Sequence, residues 1–259
     1  MNSEWSIMNE VPADPWASLK VFTPARIALG RTGTAIPLQE VLQFRMAHAH
    51  ARDAVYSMLD KETLITQLQN LQLPANLLHS QAADRHEYLQ RPDKGRKLDQ
   101  ASAGLLTSIA GDAAQNAVAI ILADGLSATA INKHAIPLLE TLLPMLQQAN
   151  IAVSPLSMVE QARVAIGDEI GSLLKATLAV VLIGERPGLS SPDSLGVYLT
   201  YRPQPGLTDE ARNCISNIRP EGLSYQTAAG KLFYLIQESF RLQLSGISLK
   251  DNEANNLLS

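Results

Sequence analysis

The sequence has little cysteine, no long apolar run and no cluster of positive charge. Its single cysteine, Cys214, allows no intrachain disulfide and is typical of a reducing compartment. A net charge of −4 without a basic stripe argues against a general nucleic-acid-binding protein. No apolar run approaches the roughly 20 residues that span a bilayer, and the first 14 residues lack the apolar core of a secretory signal. We therefore expect a soluble cytoplasmic protein without membrane or nucleic-acid partners.

Familiar catalytic and phosphate-binding motifs are also missing from the sequence. It contains no P-loop, no H-E-x-x-H, no G-x-S-x-G and no cysteine cluster. A dinucleotide fingerprint needs three glycines between a strand and its helix, whereas residues 123–128 read Ala-Asp-Gly-Leu-Ser-Ala. This single glycine argues against a Rossmann-type dehydrogenase.

The most informative stretch is an uninterrupted apolar run at residues 178–183, followed by the loop Gly-Glu-Arg-Pro-Gly. Such a run, bounded by turn residues, is typical of a strand that is buried on both faces. In open α/β sheets, ligands bind just beyond the carboxyl ends of the strands. The sequence therefore predicts a site around Gly184, Glu185, Arg186 and Gly188.

The C-terminal half alternates between strand and helix patterns, which predicts βαβ units. We expect an α/β fold with a mainly parallel, Rossmann-like sheet and helices on both faces. Asp124–Ser127 and Gly184–Gly188 should then share one edge of the sheet. The predicted strands are 117–123, 151–154, 177–183 and 194–201, and the predicted helices are 134–149, 159–176 and 224–244.

The N-terminal half has a different pattern, and we divide the chain into an extended arm (1–22), a helical part (23–112) and an α/β domain (113–259). The arm carries Trp5 and Trp16; these side chains need a surface to pack on, which belongs either to a partner or to this chain. Within the helical part, the sequence predicts helices at 25–29, 37–59, 62–71 and 94–110, with Asp93 capping the last.

Single residues have two interpretations at this stage. Asp124 either caps the next helix or its own turn, or binds a ligand hydroxyl or amide. By default, Cys214 is a small buried apolar residue and Val164 is part of the core face of a helix.

Five segments, taken in order, resemble the small subunit of ethanolamine ammonia-lyase. Each segment alone is weak, but their order and spacing are specific, and the likeness covers roughly residues 20–250, including a closing Ser-Gly-Ile at 245–247. The segments are 91–96 (Arg-Pro-Asp-Lys-Gly-Arg), 123–127 (Ala-Asp-Gly-Leu-Ser), 163–164 (Arg-Val), 183–189 (Ile-Gly-Glu-Arg-Pro-Gly-Leu) and 213–218 (Asn-Cys-Ile-Ser-Asn-Ile).

The resemblance implies a subunit of an adenosylcobalamin-dependent lyase that converts ethanolamine to acetaldehyde and ammonia by a radical route. It implies a large subunit with a TIM barrel that carries the catalytic residues, and a hexamer of heterodimers. Matched by motif, Val164, Glu185 and Cys214 would contact the cobalamin. Some family members have a longer N-terminal extension linked to bacterial microcompartments, and this chain starts soon before the shared region.

The sequence also indicates how the cobalamin would bind. Base-off cobalamin domains use D-x-H-x-x-G, but the one Asp-x-His here, at Asp84–His86, has Leu89 at the glycine position. A base-on mode is therefore expected. Two other functions stay open: a stand-alone nucleotide- or sugar-binding α/β enzyme, and an assembly subunit without a ligand.

Overall fold

The computed structural model describes residues 14–23, 25–110 and 117–250, and it has an α/β fold. The elements, in chain order, are α1 (Leu38–Val55), α2 (Lys61–Asn70), β1 (Ala75–His79), α3 (Arg85–Gln90), α4 (Gln100–Ile109), β2 (Val118–Ala123), α5 (Ala128–Gln148), β3 (Leu156–Glu160), α6 (Ile166–Leu173), β4 (Leu178–Gly184), β5 (Leu195–Tyr201), β6 (Arg212–Ile218) and α7 (Tyr225–Leu242). Short 3-10 helices cover Ala17–Phe22, Lys94–Arg96, Asp209–Ala211 and Gly246–Ser248. No helix in these described ranges is long and apolar enough to cross a membrane.

The strands form one mixed sheet in the order β1-β3-β2-β4-β5-β6. The first four strands in this order are parallel, but β5 runs antiparallel to β4 and β6 antiparallel to β5. The α/β class is confirmed, whereas the Rossmann-like parallel character is not. The apolar pattern of β5 could not reveal its direction, since a central strand is buried on both faces in either orientation.

Alternate side chains of each strand enter two separate cores. Val118, Ile120 and Leu122 of β2 pack with α2, α5 and α7, whereas Ile121 and Ala123 pack with α4 and α6 on the opposite face. All side chains of β2 and β4 are buried, which explains the unbroken apolar runs in their sequences.

The element boundaries around β3 differ from the prediction. The strand covers Leu156–Glu160 instead of 151–154, and α6 begins only at Ile166 instead of near 159. Residues 159–160 therefore complete a strand whose first half contains the buried Ser157, a polar residue that hid the apolar pattern. The consequence for function is that Val164 lies in the loop between β3 and α6 and not on a helix.

The N-terminal half also contains structure that the sequence did not predict. β1 forms the edge of the sheet beside β3, although it lies within the part predicted to be helical. The helix expected at 25–29 is wrong, because these residues have an irregular backbone. The helix expected at 94–110 is split, and Asp99 instead of Asp93 caps α4 by accepting a hydrogen bond from the Ser102 amide at 2.7 Å. Trp5 and the predicted boundary at 112/113 lie outside the described residues, and the domain division stays a prediction.

The turn after β2 and the end of β4 meet backbone to backbone. Gly125 has a φ of +57°, and the Leu126 amide donates to the Gly184 carbonyl at 2.9 Å. A Cβ on Gly184 would lie 2.0 Å from the Ser127 carbonyl oxygen. The predicted common edge of these two loops is therefore confirmed, and it depends on the absence of side chains at both glycines.

Gly184→Ala should destabilise the fold by about 1–3 kcal/mol, because the new methyl group would force two backbones apart. Gly104→Ala is the matched control, since it adds a Cβ within α4 where no atom lies within 4 Å. There alanine should stabilise the helix by roughly 0.5–1 kcal/mol. Equal unfolding free energies for the two variants in urea would contradict this interpretation.

A buried ion pair joins the start of β6 to α6. The Arg212 guanidinium bonds the Asp168 carboxylate and also donates to the Thr208 and Leu207 carbonyls. Both side chains are buried. Burial raises the pKa of Asp168 to about 6 from 3.8, although Arg212 opposes that rise.

Arg212→Met should cost about 3–5 kcal/mol at neutral pH, because it leaves a buried carboxylate without its partner. The folded pKa of Asp168 lies above the unfolded value, so its stabilising contribution is complete below about pH 4 and is lost as the pH rises through 6. Without Arg212 this pKa should rise further. The deficit of the variant should therefore be smaller at pH 5 than at pH 7.5, as measured by chemical denaturation at both pH values.

The double variant Asp168→Asn/Arg212→Met is the control, because it removes both charges together. It should recover part of the lost stability at pH 7.5. A double variant as unstable as Arg212→Met at both pH values would show that the charge of Asp168 is not the cause.

Candidate functional site

A cavity opens at the shared edge where β2 and β4 end. Its volume is about 400 Å³, and backbone atoms of the two adjoining glycine turns form its floor. Gly125 and Gly184 carry no side chain and so leave room for the cavity. The cavity lies where the sequence predicted a site. It is lined by Tyr88, Gly125, Leu126, Arg163, Val164, Ile183, Gly184, Glu185, Arg186 and Tyr198.

The Glu185 carboxylate is held in place by donors from two strands. Its Oε2 accepts hydrogen bonds from the Ser194 hydroxyl and, at 3.2 Å, from the Asn217 amide. A shift in register between β5 and β6 at this point takes the Asn217 amide out of the regular ladder and makes it available to Glu185. The other oxygen, Oε1, lies over Gly196, where a Cβ would approach to 2.9 Å.

Val164 is positioned by Asp124 through the loop after β3. The two Asp124 carboxylate oxygens accept from the Gln161 and Ala162 amides at 2.8 and 3.0 Å. Burial raises the pKa of Asp124, opposed first by these backbone hydrogen bonds and then by Arg85. Asp124 therefore orders the loop that carries Val164. This role is structural, as one of its two interpretations expects, but the amides that it binds lie in another loop.

Two arginines stack on Tyr88 at the wall of the cavity. The guanidinium carbons of Arg163 and Arg85 lie 4.2 and 4.7 Å from the centre of the Tyr88 ring, in cation–π range. Arg163 also donates to the Tyr88 carbonyl at 3.2 Å, and its own amide donates to the Gly95 carbonyl at 2.7 Å. Segment 91–96 thus contributes to the site by supporting the loop of Val164.

Cys214 lies beside the cavity on β6 and not inside it. It is directly opposite Tyr198 of β5, which lines the cavity, and its side chain is exposed. Desolvation by neighbouring atoms and the Glu185 charge raise the pKa of the thiol, while a hydrogen bond with Tyr198 lowers it. The default expectation of a buried Cys214 is therefore wrong, and the thiol remains protonated at neutral pH.

The structure thus brings Val164 and Glu185 into one cavity and places Cys214 one strand away. Sequence reasoning missed Tyr198 and Tyr88, the first of which links Cys214 to the cavity. Tyr198 is two residues after Gly196, so both residues face the same side of β5. This spacing could have pointed to Tyr198 only if the direction of β5 had been known. Arg163 appeared only as part of a family motif.

A second, larger cavity of about 680 Å³ lies near the start of α6. Val164, Glu185 and Cys214 do not line this cavity. Its charged side chains have both signs. Its lining is Arg96, Lys97, Ala165, Asp168, Glu169, Pro205, Gly206, Leu207, Thr208 and Asp209. Asp168 and Glu169 are already bonded to Arg212 and to the Leu98 amide, so we place the candidate site at the smaller cavity.

Comparison with known proteins identifies the family of this chain. Residues 13–250 match the family described as ethanolamine ammonia-lyase light chain (EutC). The chain is 55% identical over 239 residues to the ethanolamine ammonia-lyase small subunit of Pseudomonas aeruginosa strain PAO1, covering 92% of this chain and 88% of the relative. It is 53% identical over 250 residues to the protein of the same name from Xanthomonas campestris pv. campestris strain B100, covering 95% of this chain and 91% of the relative.

The family match at residues 13–250 spans all the residues that line the cavity. A match of this length and identity is far beyond what shared fold alone produces. The chain therefore belongs to the ethanolamine ammonia-lyase small-subunit family.

Proposed function

We propose that this chain is the small subunit of an adenosylcobalamin-dependent ethanolamine ammonia-lyase and completes the cobalamin site together with a large subunit. The observation that carries the proposal is the meeting of Val164 and Glu185 in one cavity, with Cys214 beside it across Tyr198. These three residues come from three distant parts of the sequence. The family resemblance implies that the same three residues contact the cofactor.

The residues at the cavity suit one edge of a corrinoid. The rim of a corrin carries neutral amide side chains whose N–H groups are hydrogen-bond donors, and Glu185 offers an acceptor already fixed by Ser194 and Asn217. A cavity of about 400 Å³ falls within the range of roughly 300–1,000 Å³ for sites of drug-sized ligands. Adenosylcobalamin is much larger, so this chain can enclose only part of it. A second protein surface must cover the rest.

Each residue has a binding role that follows from its surroundings. Glu185 accepts an amide hydrogen bond and thereby orients the ring, while the side chain of Val164 offers apolar contact at the cavity wall. Cys214, kept as a neutral thiol, packs against the ligand without acting as a nucleophile. Adenosylcobalamin supplies radical chemistry when bound, and we assign the catalytic residues for the reaction to the large subunit.

The base-on mode fits the surroundings of the Asp-x-His segment. Asp84 caps α3 by accepting from the Glu87 amide at 2.8 Å, and His86 is exposed and bonds Gln90 at 3.0 Å. Both side chains are thus hydrogen-bonded within one short helix. This arrangement supports a cobalamin that keeps its own benzimidazole ligand.

The proposed assembly follows from the resemblance. The large subunit is a TIM barrel whose mouth this chain covers, and the complex is a hexamer of heterodimers. We place it in the cytoplasm, within a bacterial microcompartment in those organisms that build one.

The purified chain alone should neither deaminate ethanolamine nor bind adenosylcobalamin tightly, because the cavity is open on one side. Co-expression with the large subunit encoded in the same genome should restore both properties. Turnover is measured by acetaldehyde release, and binding by the change in the cobalamin absorption spectrum. Tight binding by the isolated chain would favour the stand-alone binding enzyme instead.

Glu185→Ala should weaken cobalamin binding by the assembled complex about ten- to a hundredfold, since a hydrogen bond to a charged group is worth about 1.5–3 kcal/mol. Glu185→Gln keeps an acceptor oxygen and should lose less. Ser194→Ala removes a donor that fixes the carboxylate and should give an intermediate loss. The measurement is spectroscopic titration of each purified complex.

Arg186→Ala is the matched control, because in the described part of the chain Glu185 bonds Ser194 and Asn217 and forms no ion pair with its neighbour. This variant should bind cobalamin more tightly than Glu185→Ala. If Arg186→Ala and Glu185→Ala weaken cobalamin binding equally, Glu185 only shapes the loop together with Arg186. Wild-type affinity in an intact Glu185→Ala complex would refute the role of this residue.

A further inference from the structure

Helix α1 has an unusual distribution of exposed side chains. In the described part of the chain, Ala54 is the one buried residue of this 18-residue helix. Leu38, Leu42 and Met46 are 71, 53 and 58% exposed, and they follow each other at intervals of four residues. They therefore form one row along the helix, which we call the α1 stripe. An amphipathic helix that belonged to this chain's own core would turn such a row inward.

The segment before α1 adds further exposed apolar side chains. Trp16, Val21 and Phe22 are 66, 83 and 84% exposed. This segment is tied to α1 by Lys20, which pairs with Glu40 at 3.1 Å, and by Arg26, which donates to the Glu40 carbonyl at 3.0 Å. Trp16 thus leaves most of its surface open, which favours a partner over this chain's own body as the surface on which it packs.

The exposed apolar side chains could supply part of an interface with a partner, although their area is below that of a complete standard interface. An aromatic side chain buries roughly 150–250 Å², and an aliphatic one roughly 100 Å² by its transfer free energy. The six side chains just named therefore expose on the order of 500 Å² of apolar surface. A standard interface takes about 800 Å² from each partner, and the largest patch of a typical monomer is about 300–600 Å².

The end of α1 is joined directly to the candidate cofactor site. Arg85 donates through Nε to the Val55 carbonyl at 2.6 Å and through Nη1 to the Gly125 carbonyl at 2.7 Å. Gly125 lines the cavity. Tyr56 and Met58, which follow α1, are 57 and 81% exposed. Two exposed side chains therefore lie at the end of α1 that Arg85 joins to the turn of the cavity.

We propose that the α1 stripe docks on the same large subunit that covers the cofactor cavity. This inference rests on the proposed function for the identity of the partner. The two hydrogen bonds of Arg85 favour this partner over a second copy of the chain, because they place the end of α1 beside the cavity that the large subunit closes. The proposed binding mode is an α-helix that packs into an apolar groove of the large subunit through side chains four positions apart.

The test is the double variant Leu42→Glu/Met46→Glu, co-expressed with the large subunit from the same genome. Two carboxylates in an apolar groove should weaken association at least about tenfold, as measured by titration of the separated subunits. Leu105→Glu is the matched control: it makes the same change at a side chain 40% exposed on α4, across the sheet. It should associate like the wild type.

The melting temperature of each variant alone establishes that it folds. Hydrogen exchange of the wild-type chain gives a second readout that needs no variant. Amides of residues 38–55 should exchange more slowly in the complex than in the isolated chain. Unchanged exchange there, or wild-type affinity of a folded double variant, would overturn the inference.

Two further outcomes separate this inference from the proposed function. If the wild-type complex binds cobalamin while the double variant assembles normally, the docking inference alone is wrong. If the double variant fails to assemble while the wild-type complex binds no cobalamin, docking stands and the proposed function is wrong. A stripe that joins two copies would show as a dimer of the isolated wild-type chain that the double variant abolishes, which would also overturn it.

Discussion

The site depends on the direct contact of two backbone turns, at Gly125 and Gly184. Neither glycine carries a Cβ. The Leu126 amide therefore reaches the Gly184 carbonyl at 2.9 Å, and the ends of β2 and β4 meet. Everything else at the cavity takes its position from this contact. Glu185 follows immediately and crosses β5 to reach Asn217, while Asp124, just before Gly125, holds the loop of Val164. A side chain at either glycine would displace both groups of residues together.

The sequence predicted the place of the site better than its shape. The run at 178–183 and the loop after it located Glu185 without any family knowledge, because burial on both faces leaves a clear apolar signature. Val164 and Cys214 gave no such signal. Val164 lies in a loop that the pattern assigned to a helix, and Cys214 lies on β6, where no strand was predicted.

The missed features have a common physical reason. The direction of β5, the shift in register at Asn217 and the pairing of Tyr198 with Cys214 all depend on which strands are neighbours. Contacts between residues distant in sequence decide this, and local periodicity does not record them. The helices α1, α2, α5 and α7 were easier to predict, although α5 begins at Ala128 and not at 134, because their apolar repeats are contained within one segment.

The environment of Cys214 affects how readily its thiol is oxidised. Peroxides and disulfides react with the thiolate form of cysteine, so exposure alone does not make a thiol vulnerable. The pKa of Cys214 is raised by desolvation and by the Glu185 charge, which keeps the thiolate fraction small at neutral pH. Desolvation, with a smaller contribution from Glu185, therefore makes this exposed thiol less reactive than its exposure alone would suggest.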